Sequence, residues 1–382
     1  MALGVQYSGV WTMAQQFQAV GAGTWKGIVE DYLWTWGRNN QGGLGDNTVY
    51  GKSSPVQIGS PSWSQISAGT DFSMATRADG TMWAWGDNPG GQLGNNTVTD
   101  RSSPVQIGTL TTWSKISAGQ VHSAAIKTDG TMWLWGNNNT GALGDNTTIY
   151  KSSPIQVGAL TTWSKISIYN YFSSAIKTDG TMWTWGNDSQ GHMGQNTQGV
   201  NKSSPTQVGT LTTWSQISTG GNHIVALKTD GTLWLWGYND YGQVGDGTTI
   251  SRSSPVQIGA LTTWSQISAS RSGGMALKTD GTLWTWGRNG SGRLGDDTTI
   301  NRSSPVQIGA LTTWSKISGG DAHSLAIKTD GTLWVLGSNT SGKLGLGNEQ
   351  NKSSPVQLGT LTSWTLISAK DYHSMAIARE IT

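Results

Sequence analysis

One short motif, returning at a nearly constant interval, restricts what this chain can become. Trp-x-Trp-Gly starts at Trp34, Trp83, Trp133, Trp183, Trp234 and Trp284, and an altered seventh copy starts at Trp334, where Leu336 stands for the second Trp. Successive copies lie 49 to 51 residues apart. A strand-rich sequence with a period near fifty builds a β-propeller, one blade per repeat. The repeat takes precedence over the two or three domains that a length of 382 residues would otherwise suggest.

Each repeat reads as four short strands, here lettered A to D in chain order. In the repeat that opens at Trp113, A is WSKIS, ending near Ser117, and B is HSAAIK, from His122 to Lys127. A Thr-Asp-Gly turn leads into C, TMWLWG, and after a long polar loop D is PIQVG, from Pro154. Asp-Gly between two strand-like runs signals a hairpin, because glycine accepts the positive φ that the turn requires. The aspartate recurs at Asp79, Asp129, Asp179, Asp230, Asp280 and Asp330. D opens on proline in every repeat, at Pro55, Pro104, Pro154, Pro205, Pro255, Pro305 and Pro355. Proline has no N–H to donate, so D is expected at the outer edge of each blade and A at the inner edge. The two Trp of C stand two residues apart, share a face, and are expected to fill the space between blades.

The two ends of the sequence are complementary. The last repeat supplies A at Trp364–Ser368 and B at His373–Arg379, while the first begins with C at YLWTWG and D at SSPVQIG. Pairing Met375–Arg379 with Tyr32–Trp36 would close the ring and cover two open edges. The expected fold is therefore all-β: a seven-bladed β-propeller of four-stranded antiparallel blades over residues 28–382, behind a docking or plug segment, 1–27.

Composition removes several alternatives. Only 12% of residues are charged and Gly is abundant, a mix that resembles disorder, but 22 Trp supply ample core. A net charge of +2 without a basic run argues against a nucleic-acid partner. No apolar run is long enough for membrane insertion. The absence of cysteine excludes disulfides and thiolate metal sites. MALGVQYSGVWTM has no positive charge ahead of its apolar residues and is a poor signal peptide.

The loop after C carries the most specific pattern, Gly-x-Asn-x-x-Gly-x-Leu-Gly. It is Gly37, Asn39, Gly42, Leu44 and Gly45 in the first copy, and Gly136, Asn138, Gly141, Leu143 and Gly144 in another. The fourth copy departs, with Asp188 for Asn and Met193 for Leu. Together with His-Ser-x-Ala-Ile and Asp-Gly-x-x-Trp-x-Trp-Gly, this resembles the regulator-of-chromosome-condensation repeat family from about residue 25 onward. The resemblance implies a seven-bladed propeller. The family's functions are diverse: nucleotide exchange on a small GTPase, chromatin binding, ubiquitin-ligase modules and protein inhibition of β-lactamase. Fold does not choose among them. Exchange-factor members carry a wedge-like insertion, and the uniform repeat length here leaves no place for one. A second, shorter resemblance lies at Tyr7–Trp25, YSGVWTMAQQFQAVGAGTW, which is similar to a leader near the start of bacteriophage virion proteins. Val10 to Val20 reads as one amphipathic helix, and Tyr7, Trp11, Phe17 and Trp25 are docking candidates.

Catalytic chemistry finds little support. His122, His223, His323 and His373 share one repeat position, which Phe72, Phe172 and Gly273 fill elsewhere. A slot that accepts Phe suits a packed histidine bonded to backbone better than a metal ligand. His192 stands alone in a loop and is expected to be solvated. Asp46, Asp145, Asp246 and Asp296 lack the alternating carboxylates of calcium loops. The Gly-rich loops lack the Lys-Ser/Thr ending of phosphate binders. No catalytic residue, metal or cofactor is expected.

Variation within the chain is more informative. The strands are nearly copied, whereas the A–B connection differs each time. It supplies Asp71, Phe72, Gln120, Tyr169, Asn170, Tyr171, Asn222, Arg271, Asp321, Lys370, Asp371 and Tyr372. The C–D loop adds Tyr238, Tyr241 and Arg288. Strand alternation places both loop sets on one face, where a rigid scaffold presents recognition residues. Exposed Tyr and Arg anchor protein or glycan partners well. The function expected is a non-enzymatic bacteriophage virion protein, a structural or adhesion module of tail, baseplate or surface. Its partners would be other virion proteins and a host-surface protein or glycan. The alternative is a soluble cytoplasmic propeller that regulates or inhibits a protein partner.

Overall fold

The computed structural model describes residues 29–381. They form seven four-stranded antiparallel sheets. Six sheets follow chain order from A to D, beginning with the second blade at Trp63–Ala68 and ending with the seventh at Lys352–Gln357. The closing, first blade runs Lys52–Ile58, Val29–Gly37, His373–Ile381, Trp364–Ala369. Strands A of successive blades touch one another, so A lines the axis and D lies outside.

The closing seam is the longest uninterrupted pairing in the ring. Val29 opposes Ile381 and the register continues without a bulge to Gly37 opposite His373. The expected pairing of Met375–Arg379 with Tyr32–Trp36 falls inside it, shifted by one residue: Met375 meets Thr35 and Arg379 meets Asp31. The Arg379 guanidinium donates to both Asp31 carboxylate oxygens at 2.9 and 3.1 Å.

Two strand details differ from expectation. D begins three residues before its proline, as at Lys151–Gln156, so Pro154 is the fourth residue. The ladder is irregular between Lys151 and Ile155, which spares the proline a donor role on this edge. The B–C connection is also longer than a two-residue hairpin. Gly130 N–H donates to Lys127 and Lys127 N–H to Thr131, both at 3.0 Å, and Gly130 alone takes a positive φ, +78°. Asp129 accepts from Thr131 N–H and Oγ1–H at 2.9 and 2.7 Å, and Thr131 Oγ1 accepts the Trp133 indole at 2.9 Å. The turn aspartate thus fixes the outer Trp of strand C.

The inner Trp joins neighbouring blades. Trp85 is fully buried, and its indole N–H donates to the Gly43 carbonyl of the preceding blade at 2.9 Å. The same bond links Trp135 to Gln92, Trp185 to Ala142, Trp236 to His192, Trp286 to Gln243 and Trp36 to Lys343, at 2.8 to 3.0 Å. A Cβ on Gly45 would stand 2.6 Å from Trp85 Nε1, which explains the glycine that ends the loop motif. Leu336 fills the seventh slot without a donor. The Trp of strand A completes the layer: Trp63 lies 6.2 and 6.1 Å from the ring centroids of Trp83 and Trp85.

The Asn of the loop motif is its hub. Buried Asn39 accepts the Leu44 N–H at 2.8 Å and donates to Asp46, to the Thr48 carbonyl and to the Tyr50 carbonyl at 3.0, 3.0 and 3.3 Å. Asp188 keeps the acceptor, taking the Met193 N–H at 3.0 Å, but a carboxylate has no proton to give. Its Oδ2 is buried without a partner among the described residues, and burial raises its pKa.

Histidines staple adjacent blades. His122, His323 and His373 donate from Nε2 to Ser173, Ser374 and Ser73 of the next blade at 3.0, 2.9 and 2.8 Å. Each serine gives its own proton to a loop carbonyl, at Ala142, Lys343 and Gly43, so the imidazole must be the donor. His223 instead donates to the Gly273 carbonyl at 3.0 Å, because Gly274 stands where the next blade would carry the serine. His192 is not solvated. It is fully buried, 4.3 Å from the Phe172 ring, because the tight loop whose carbonyl binds Trp236 turns its side chain inward.

Burial holds these imidazoles neutral. It pushes His122 down to about 3, His192, His223 and His373 to about 4, and His323 well below the usual value. The unfolded chain takes up these protons below about pH 6.5 and the folded chain does not. Stability should be complete above pH 6.5 and fall as pH drops toward 4, each displaced unit of a histidine pKa counting about 1.4 kcal/mol. Asp87, pushed up to about 6, opposes this as a single group. Thermal unfolding between pH 7.5 and 4.5 should show the decline, and a flat Tm would contradict it. Asp188→Asn restores the donor used by the other loops and should raise stability by about 1 kcal/mol, read from the urea midpoint.

Candidate functional site: the loop face

The A–B and C–D loops emerge together, as strand alternation requires. The first C–D residue donates its N–H to the end of the A–B loop in its own blade: Arg38 to Tyr372, Asp87 to Asp71, Tyr238 to Asn222 and Arg288 to Ser272, at 2.8 to 3.0 Å. The start of each of these C–D loops is thereby tied to the A–B loop beside it.

The residue at the junction of strand A and the A–B loop points to the axis. Four blades use Gly69, Gly119, Gly220 and Gly320, and a fifth uses Ser270. Tyr169 and Lys370 are the long side chains at this position, and they meet across the axis. Lys370 Nζ stands 3.9 Å from the Tyr169 ring centroid and donates to the Ile168 carbonyl at 3.3 Å. The Tyr169 hydroxyl donates to Asp371 Oδ1, and Thr70 Oγ1 donates to Asp371 Oδ2 at 2.8 Å. Burial and the Asp371 carboxylate hold the Tyr169 phenol well above its ordinary pKa. Burial pulls Lys370 down to about 8.

Around this bridge the charges are unevenly shared. Arg271 and Arg293 both face Asp321, at 3.7 and 3.6 Å, and Arg293 also donates to the Asp321 carbonyl at 2.7 Å. Arg288 lies over the Tyr241 ring at 5.0 Å. Tyr238 stands 6.5 Å from Tyr241 and donates to Asp240 at 2.6 Å, a bond that raises its pKa to about 12. In the closing and second blades Arg38 covers the Tyr372 ring at 4.3 Å and faces Asp71 at 3.6 Å. Burial and the carboxylates of Asp100 and Asp71 push Asp87 up to about 6.

Comparison with known proteins decides the family. Residues 112–381 match the RCC1-like domain. The chain belongs to the RCC1-like domain family. Individual regulator of chromosome condensation (RCC1) repeats match at 30–76 and 79–126, and a second form at 63–92. Human WBSCR16 superposes on this RCC1-like propeller with TM-score 0.82 and 20% identity, over 92% of this chain and 100% of its own. Prp20p from Saccharomyces cerevisiae gives 0.80 and 18%, over 92% of both chains. Yeast RCC1 (Prp20) bound to Kap60 gives 0.82 and 17%, over 100% of this chain and 96% of its own. At these identities the likeness is one of fold. No curated protein matches the sequence.

The structure sorts the sequence candidates of this RCC1-like propeller. Phe72 is not on the face: it opens strand B and is wholly buried in the core with Met74 and Trp135. Tyr169 and Asp371 are each 1% exposed and form the floor of the face, because their short bridge crosses the axis beneath the loops. Gln120, Asn170, Tyr171, Asn222, Tyr238, Tyr241, Asp321, Lys370, Tyr372 and Asp71 are half-buried, and Arg271 and Arg288 are exposed. Tyr7, Trp11, Phe17 and Trp25 lie outside the described residues. Asp46, Asp145, Asp246 and Asp296 accept from the threonine two residues on and face Lys52, Lys151, Arg252 and Arg302, so they are loop anchors. Among the described residues no group of three potential ligands could hold a metal ion.

Sequence reading missed Arg293 and Lys343. They stand at the free position of Gly-x-Leu-Gly, which is Gly43, Gln92, Ala142 and His192 in other repeats. That variability inside a fixed motif was the available signal.

The axial bridge has a direct test. Tyr169→Phe removes a donor from a buried carboxylate and should cost about 1–3 kcal/mol, read from chemical unfolding. An unchanged midpoint would show that the bridge contributes nothing.

Proposed function

We propose that this chain is a non-enzymatic binding propeller that recognises a protein partner with its A–B and C–D loop face. The carrying observation is where the repeat is broken. The B–C turns are copied with their Asp-Gly pair, whereas the loop face differs from blade to blade and gathers Arg and Tyr. Arg288 over Tyr241 and Arg38 over Tyr372 are pre-stacked, so little side-chain freedom is lost on binding. Two structures of one relative support a protein partner: Prp20p has binding properties to Gsp1p and histones, and as yeast RCC1 (Prp20) it is bound to Kap60.

The assembly we propose is a bacteriophage particle, with other virion proteins and a host-surface protein or glycan as partners. The support for this is the resemblance of Tyr7–Trp25 to virion leaders. A regulatory propeller inside a cell is the second reading, favoured by that same relative.

Two measurements test this. Mass spectrometry of purified particles should find the chain, and its absence would remove the virion reading. Once a partner is in hand, Tyr241→Ala with Tyr372→Ala should weaken it about tenfold or more. Undiminished binding would exclude the loop face.

A further inference from the structure

We infer that the sixth, seventh and closing blades together form a docking site for an acidic side chain of a protein partner, beside the axis of the loop face. The inference rests on the reading that this face binds a protein, and it names the chemistry of the contact.

Charge is unbalanced beside the axis. Arg271, Arg293, Lys343 and Lys370 converge there, with Asp321 and Asp371 as counter-charges. Asp321 is divided between Arg271 and Arg293, at 3.7 and 3.6 Å. Both Asp371 carboxylate oxygens already receive hydroxyls, from Tyr169 and Thr70. Among the described residues neither lysine forms an ion pair. Lys343 Nζ reaches only the Asp371 carbonyl, at 3.5 Å, and Lys370 Nζ the Ile168 carbonyl, at 3.3 Å. Four cations thus face two carboxylates, and two positive charges are left over.

That surplus is costly where it sits. The Lys343 and Arg293 side chains are 5% and 7% exposed, and Arg293 Nε has no partner among the described residues. A buried, uncompensated charge costs several kcal/mol. Elsewhere the chain avoids this cost. In the outer loops Lys52, Lys151, Arg252 and Arg302 are matched one to one with Asp46, Asp145, Asp246 and Asp296. Burial lowers the pKa values of Lys343, Lys370 and Arg293; Asp321 acting on Lys343 and Arg293, and Asp371 acting on Lys343 and Lys370, oppose the shift without reversing it, and Arg293 further depresses Lys343.

The site can be reached from outside. The Arg271 side chain is 44% exposed and Asp321 23%. A carboxylate set between Arg271 and Lys370 would also lie within the field of the two cations beneath. A side chain of a protein is favoured over a free anion because the neighbouring surface, Tyr238, Tyr241 and Tyr372, is aromatic and offers a chain contact area that a small ion does not use.

The test uses the full chain and three probes: an oligo-glutamate peptide, its oligo-glutamine counterpart and inorganic phosphate, followed by calorimetry and fluorescence anisotropy. The glutamate peptide should bind about tenfold or more tightly than the glutamine peptide, with affinity falling as salt rises. Arg271→Gln combined with Lys370→Gln should remove about tenfold of that affinity. Lys52→Gln with Lys151→Gln in the outer loops should change it less than about twofold. Lys343→Met should also weaken the peptide while leaving Tm unchanged or higher, since it deletes an unpaired charge. Near-ultraviolet circular dichroism checks that each variant keeps its packing. Equal binding of the two peptides, or an affinity indifferent to Arg271→Gln with Lys370→Gln, would overturn the inference. So would phosphate displacing the peptide at equal concentration, which would mark a site for free anions. A partner that is lost with Tyr241→Ala and Tyr372→Ala yet ignores the charge variants would keep the binding face and sink only this assignment.

Discussion

One hydrogen bond, from an inner tryptophan indole to the loop carbonyl of the preceding blade, governs the rest of the molecule. It fixes the blade-to-blade distance, because the indole must reach the carbonyl while its ring fills the core. It also dictates the loop. The carbonyl is presented only if Asn39 or its counterparts gather the loop backbone, and the approach is open only if the next residue but one is glycine, as at Gly45. The same carbonyls accept serine hydroxyls that in turn accept histidine, at Gly43, Ala142 and Lys343. Fold motif and blade interface are therefore one network.

That network leaves the loop face rigid and free to vary. With the strand ends held by ladder bonds, substitutions between A and B alter side chains without moving the backbone that bears them. The axis shows how far this goes. Two departures from glycine, Tyr169 and Lys370, in different blades, place a phenol, an amine and the neighbouring Asp371 carboxylate in contact across the ring. Blades that each bury a hydrophobic layer locally are thus tied by a polar contact between residues 202 positions apart.

The sequence was legible where spacing alone carries the information. The period near fifty gave the blade count, proline gave the outer strand, and the complementary ends gave the closure, to within one residue of the observed register. Phe72 and His192 were misplaced for a common reason. Each sits next to a loop, and a loop residue in a linear reading looks exposed. Their burial depends on the neighbouring blade that closes over them. Likewise the serine partners of the histidines lie about fifty residues away, and nothing in the local sequence announces them.

What the residues determined by themselves is the ring: a copied four-strand unit, its turn and cap chemistry, and an apolar layer that only a neighbouring copy can cover. Those properties are local or periodic, so one dimension suffices to state them. The charge imbalance around Arg293 and Lys343, the bridge under the loops and the separation of buried from reachable candidates were decided by tertiary structure. They depend on distances between blades far apart in the chain, and electrostatic compensation is a property of such distances, not of order along the backbone.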